Sequence, residues 1–163
     1  IQAGFDATEY FIKKGCRHIA FIGGTKKLFV TQDRYTGYEN ALKEHQLELD
    51  PQSTAFVTEF LEEKGYQFTK RLLAKNPNID AIITTDSLLA SGVCDFLSSQ
   101  NLTIPVLSFD SVEPKLDLVA YVDINTLELG RVSFQTILQI INDSKENRKI
   151  CYRQLISHKI IER

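Results

Sequence analysis

The sequence predicts an α/β fold built on a parallel sheet with helices on both faces. Three observations predict it. Short apolar runs alternate with helical patterns along most of the chain. Each run is bounded by turn or cap residues, and unlike polar groups gather just past the run ends, at Gly23-Gly24, Glu59-Phe60, Thr85-Asp86 and Asp110. Parallel strands bring such ends to one rim, and that rim is where alternating α/β folds bind small molecules.

The first helix is expected over Gly4 to Lys14, with Ala7, Phe11 and Ile12 on one side and a stop at Gly15, a residue that enters positive φ without a Cβ clash. The run His18 to Ile22 reads as the first strand, and Gly23-Gly24 turns the chain sharply after it. Gln32 to Glu44 follows a Thr31 N-cap and carries Tyr35, Tyr38, Ala41 and Leu42 at 3–4 spacing, a buried stripe. Thr54 to Val57 is the next strand. Gly65 to Lys75, with Phe68, Leu72 and Leu73, is the next helix. Ala81 to Thr84 is followed by a helix over Ser87 to Ser99 carrying Leu89, Val93, Phe96 and Leu97. Asp86 precedes that helix, where its carboxylate accepts from free amides of the first turn. Strands over Val106 to Phe109 and Val119 to Val122 complete the series.

The chain has 163 residues, 43% of them apolar, enough to bury a sizeable core as one domain or one domain plus a lobe. Nineteen basic residues against 21 acidic give a net charge of -2. Gripping nucleic acid needs clustered Lys and Arg, and the densest basic stretch, Lys13, Lys14 and Arg17, is interrupted by the helix stop. No apolar run approaches the roughly 20 residues that cross a bilayer. Cys16, Cys94 and Cys151 form no CxxC pair and have no His at ligand spacing, so neither a metal site nor a disulfide framework is expected. Cys94, beside an apolar stripe, reads as a small core residue. A reducing, cytoplasmic setting follows. The chain starts at Ile1 with neither an initiator Met nor a signal-peptide pattern, so a further segment is expected upstream.

Nothing in the motifs calls for a catalytic centre or a cofactor. His18, His45 and His158 have no nucleophile beside them, and no GxSxG elbow or GxxxxGK[ST] loop is present. GGTKK at Gly23 to Lys27 lacks the third glycine of a dinucleotide fingerprint, although Lys26 and Lys27 could attract an anion. Asp86 and Asp110 leave three readings open. They are structural, as a cap and as a turn-former before Ser111; they are general bases of a small-molecule enzyme; or they orient the hydroxyls of a carbohydrate. The third reading joins them to Phe60, whose ring would cover the apolar face of a sugar, and to Arg34 as donor. For Arg34 the alternative is a surface ion pair with Asp33 or Glu39, worth little.

These residues also carry a family resemblance. GCRHIAFIGG (Gly15 to Gly24) followed by DRYTGYENAL (Asp33 to Leu42) resembles the signature of the lac and gal repressor family of bacterial transcription regulators. EKGYQFTKRLL, DAIITTDSLLASG, SFD, LELGR and the terminal IIER resemble later blocks of that family in the right order, over nearly the whole chain. FVTQDR before the second helix is similar to maltose-operon repressors.

The resemblance implies a sugar-sensing core of two lobes, like periplasmic sugar-binding proteins, with the ligand held between them. Residues 1–125 would form the C-terminal lobe, 126–156 a segment of the N-terminal lobe with a helix over Leu127 to Asn142 and a strand near Cys151 to Leu155, and 157–163 a return strand. The polar stretch Asn142 to Lys149 reads as a surface connection. It implies a homodimer that contacts DNA only through a helix-turn-helix absent from this chain. By family position Arg34 hydrogen-bonds sugar hydroxyls, Phe60 packs on the ring and Asp110 accepts hydroxyl protons. Thr85-Asp86 stands where Asn-Asp is usual, so an amide's donor and acceptor are exchanged for one hydroxyl. Ser108 replaces a usual Gly, and Asn125 stands where Pro or Asp is common at the crossover between lobes. A transport-associated sugar-binding protein would share this fold, but it requires a secretion signal or lipid-anchor cysteine upstream.

Overall fold

The computed structural model describes residues 1–110, 116–145, 148 and 150–163. The elements run α1 (Gln2–Lys13), β1 (Ile19–Gly23), α2 (Phe29–Glu44), β2 (Thr54–Phe56), α3 (Glu62–Lys75), β3 (Ala81–Thr84), α4 (Ser87–Ser99), β4 (Val106–Phe109), β5 (Ala120–Asp123), α5 (Thr126–Lys145) and β6 (Lys159–Glu162). A six-stranded sheet has the order β2-β1-β3-β4-β5-β6. The first four pairings are parallel, and β6 joins β5 antiparallel at the edge. The chain leaves β1 toward β2 on one side and resumes at β3 on the other, so the crevice of the topological switch opens between β1 and β3.

Strand alternation divides the core between the two faces. Ile19, Phe21, Ile83, Leu107 and Phe109 pack with Phe11, Tyr38 and Leu42 of α1 and α2. Ala20, Ile22, Ile82 and Val106 pack with Leu72, Leu89, Val93 and Phe96 of α3 and α4. Strands buried on both faces have no polar side to display, which is why they read as continuous apolar runs.

Each face is closed by two helices that cross at glycines. A Cβ on Gly65 would run into the Leu89 carbonyl, and one on Gly92 into the Glu62 carbonyl. On the other face a Cβ on Gly4 would overlap the Arg34 carbonyl, and one on Gly37 the Ile1 carbonyl. Backbone meets backbone at both crossings, so no side chain fits between.

All but one of the expected elements are present, with shifted ends. Gly15 has φ 97 and follows the last helical turn as expected. α2 corrects the N-cap assignment: it starts at Phe29 behind Leu28, and Thr31 lies buried in its first turn with Oγ1 unpartnered. The turn that Thr25 makes, accepting from Lys27 N–H on its hydroxyl and from Leu28 N–H on its carbonyl, delivers the chain to the helix three residues early. α5 is also longer than expected, so Asn142 to Lys145 are helical; residues 146, 147 and 149 of the expected connection, and the turn before Ser111, lie outside the described residues. The strand expected near Cys151 to Leu155 is not formed: residues 151–158 have no sheet partner among the described residues, and a strand is defined by the ladder it joins. Asn125 has φ 55, a conformation closed to proline, and its side chain accepts from Glu128 N–H at 3.4 Å to start α5.

Candidate functional site

The switch-point crevice is built from four loops and one helix. Past β1, Gly23 accepts from Val57 N–H at 2.8 Å, so the loop after β2 is tied to the loop after β1. Phe60 follows in that loop and is half-buried against the α3/α4 core. Its ring lies where a Cβ on Gly24 would be, so the absence of a side chain at residue 24 is what seats the ring on the rim.

Past β3, Thr85 is 3% exposed and bonded on three sides. Its N–H donates to Ile22 at 3.1 Å, its hydroxyl oxygen accepts from Gly24 N–H at 3.2 Å, and its carbonyl accepts from Arg34 Nη1 at 2.7 Å. Asp86 caps α4, one carboxylate oxygen accepting from Leu88 N–H at 2.8 Å and Leu89 N–H at 3.1 Å. The structural role foreseen for Asp86 is therefore present. Its charge still reaches the crevice, since it acts on both Arg34 and Asp110.

Arg34 leaves α2 and lays its guanidinium over the Phe109 ring, 4.2 Å from the centroid. Its partners are the Thr85 carbonyl and that ring, not Asp33 or Glu39. Burial pulls its pKa down, opposed by the charges of Asp110 and Asp86. Asp110 closes the site past β4 with φ 78, a left-handed conformation that costs most residues about 1–3 kcal/mol and that Asp tolerates better than most. Its Oδ1 is buried and has no hydrogen-bond partner among the described residues. A carboxylate oxygen that is withdrawn from water and left unpaired beside a guanidinium is an acceptor waiting for a donor.

The structure thus brings Arg34, Phe60, Thr85, Asp86 and Asp110 to one crevice. Sequence reasoning missed Gly24 as the seat of the Phe60 ring, Phe109 as the surface under Arg34, and the Thr85 carbonyl. Phe109 was visible inside the SFD block. The carbonyl has no sequence signal, because every residue has one. Lys26 lies over the Phe56 ring at 4.2 Å and near that of Tyr35 at 5.2 Å, so its ammonium is held by aromatic faces. No group of three or more His, Cys, Asp or Glu able to hold a metal ion occurs among the described residues, and the three cysteines are free.

A hydroxylated ligand that donated to Asp110 would bind with an affinity that depends on pH. Burial raises its pKa, Arg34 lowers it, and Asp86 raises it, for a net shift upward. The unliganded fold therefore holds this proton more tightly than the unfolded chain and gains stability as pH falls through the raised pKa. A ligand hydroxyl donating to the carboxylate has the opposite preference. Affinity should fall with pH at values above the ordinary carboxylate range, and Asp110→Asn should flatten that profile in calorimetric titrations.

Fold and crevice define an effector- or solute-binding domain, and comparison with known proteins agrees. The chain belongs to the periplasmic binding protein-like domain family, whose model matches residues 8–163. The HTH-type transcriptional regulator MalR of two Streptococcus pneumoniae strains is 71% identical over 163 residues, 100% of this chain and 50% of the relative. The HTH-type transcriptional regulator RegA of Clostridium saccharobutylicum is 28% identical over 100% of this chain and 50% of its own length. The chain spans about half the length of these curated relatives. Among solved structures, a LacI transcriptional regulator from Bacillus cereus subsp. cytotoxis superposes with TM-score 0.86 at 28% identity, over 99% of this chain and 58% of that one. A CelR–cellobiose complex shares the fold, with TM-score 0.83 at 19% identity over 98% and 50% of the two chains. These relatives are transcriptional regulators, not enzymes, which sets aside the general-base reading of Asp86 and Asp110.

Proposed function

We propose that this chain is the effector-binding part of a bacterial transcriptional regulator, and that the effector is a sugar held at the switch-point crevice. The observation that carries the reading is the buried Oδ1 of Asp110, unpartnered among the described residues, with the clamped Arg34 and the Phe60 ring on the same rim. A sugar offers what that set lacks: hydroxyls that donate to a carboxylate and accept from a guanidinium, and a C–H face for an aromatic ring. The relatives' names support regulation as the output.

The same reading accounts for α5. Leu127, Phe134, Leu138 and Ile141 lie along one side of it and Leu129, Ile137 and Ile140 along another, all at least 42% exposed. Only Asp143 is buried, and α5 makes no extensive contact with another element among the described residues. A helix apolar on several sides is a buried helix. Residues 126–156 would accordingly belong to a second lobe completed by the other half of the protein, with 157–163 returning to this one. The ligand would sit between the lobes and bias their orientation, and a homodimer would pass that bias to DNA-binding heads in the cytoplasm. Only a ligand that prefers one orientation can do this. No helix among the described residues is long and apolar enough to cross a membrane.

The test is calorimetric titration of the full-length protein with glucose, maltose and cellobiose. Saturable binding of at least one, lost in Phe60→Ala by about tenfold or more, is expected from removal of one stacked ring. Because Phe60 is half-buried, a loss of about 2 kcal/mol in stability should accompany it, roughly half that of a fully buried ring. Unaltered binding by a Phe60→Ala protein that melts far lower would make the ring part of the core and not of the site.

A further inference from the structure

Thr85 binds other parts of the crevice with both its side chain and its backbone, and it does so from a position only 3% exposed. We infer that Thr85 is a positioning residue: its hydroxyl holds the Gly24 loop, and through it the Phe60 ring, while its carbonyl holds Arg34. The inference refines the sugar-site reading above and takes its ligand from there, but the contacts it invokes exist without ligand.

Three adjoining strands, β2, β1 and β3, present their ends here. Gly24 N–H lies in the turn after β1, where a helix or ladder partner is out of reach, and its donor is satisfied by Thr85 Oγ1 at 3.2 Å. A buried amide left without that acceptor would carry its full desolvation cost, so the loop would shift to reach water. Gly24 is also the surface against which the Phe60 ring rests, so any shift of the loop moves the seat of the ring. Gly23, its neighbour, is bonded to Val57 N–H on the far side and cannot follow freely. On the other flank the Thr85 carbonyl fixes one arm of the Arg34 guanidinium while the Phe109 ring supports its face. The aromatic and the cationic halves of the crevice are thus set relative to each other by one residue.

The experiment is amide hydrogen exchange and Phe60 ring relaxation by NMR on the ligand-free full chain, comparing wild type with Thr85→Val and Thr85→Ser. Valine keeps the volume and removes the acceptor; serine restores the acceptor. Thr85→Val should speed exchange at Gly24 about tenfold and quicken Phe60 ring flipping, while the β3 amides keep their wild-type rates. Thr85→Ser should stay within about twofold of wild type at Gly24, given the retained hydroxyl. Wild-type exchange at Gly24 in Thr85→Val would overturn the inference, as would equal acceleration in both variants or uniform acceleration that includes β3. None of these outcomes depends on a sugar, so failure of the sugar titration and failure of the positioning role are separately visible.

Discussion

Arg34→Ala is expected to weaken sugar binding about 100-fold, the largest effect of any single change in the crevice. Two losses combine. Charge-assisted hydrogen bonds to ligand hydroxyls are each worth roughly 1.5–3 kcal/mol, and in the proposed sugar site the guanidinium would supply the donor side. Its removal also takes away a charge that lowers the Asp110 pKa, so more of the carboxyl is protonated at a given pH and fewer molecules present the acceptor. Arg34→Lys should recover little of the affinity. An ammonium has no planar face to lay on Phe109 and no second arm to keep toward the ligand while the first holds the Thr85 carbonyl. Titration calorimetry on the folded variants measures both effects, and an Arg34→Ala protein that binds within threefold of wild type would remove Arg34 from the site.

Gly92→Val is expected to cost about 3 kcal/mol of stability or more, because the new carbon has no void to enter. It meets the Glu62 carbonyl of α3 and stands close to the Tyr66 amide, both parts of rigid backbone. Relief requires α3 and α4 to separate, and with them the packing of Leu72, Leu89, Val93 and Phe96 over the sheet. For a chain of this size that corresponds to a fall of about 10 °C in Tm. Thermal melting followed by circular dichroism measures it directly. An unchanged Tm would mean that the two helices cross with more space than the structure gives them.

The strands and the helices over the sheet were legible because two physical signals coincide in them. Apolar runs such as Ala81 to Thr84 are buried on both faces, and stripes such as Tyr38, Ala41 and Leu42 recur at the helical period. Helix starts were less legible. Thr31 looked like a cap because its type is common there, yet the Thr25 turn had already begun the helix, and local turn geometry outweighed residue preference. The strand near Cys151 misled for a different reason: its pattern suits an extended chain, but among the described residues no ladder partner meets it.

Within the crevice, side-chain chemistry was readable and its arrangement was not. Arg34, Phe60 and Asp110 could be named from residue type and family position. That Arg34 would lie on Phe109, that Phe60 would rest on Gly24, and that Thr85 would turn its hydroxyl away to the neighbouring loop depend on distances between segments far apart in the chain. The helix-capping role of Asp86 was the exception, because capping is local and its signal lies within three residues.

The crossing of α1 and α2 has a consequence for ligand response. The carbonyl of Arg34 fits against Gly4, so the residue that points its guanidinium into the crevice is, on its other side, part of the seat of the N-terminal helix. Undocking of α1 would free the backbone that aims the guanidinium, and a ligand that immobilises Arg34 must resist that undocking by the same free energy. Occupancy of the crevice should therefore be recorded on the far side of α2, as slower opening of a helix that never meets the ligand.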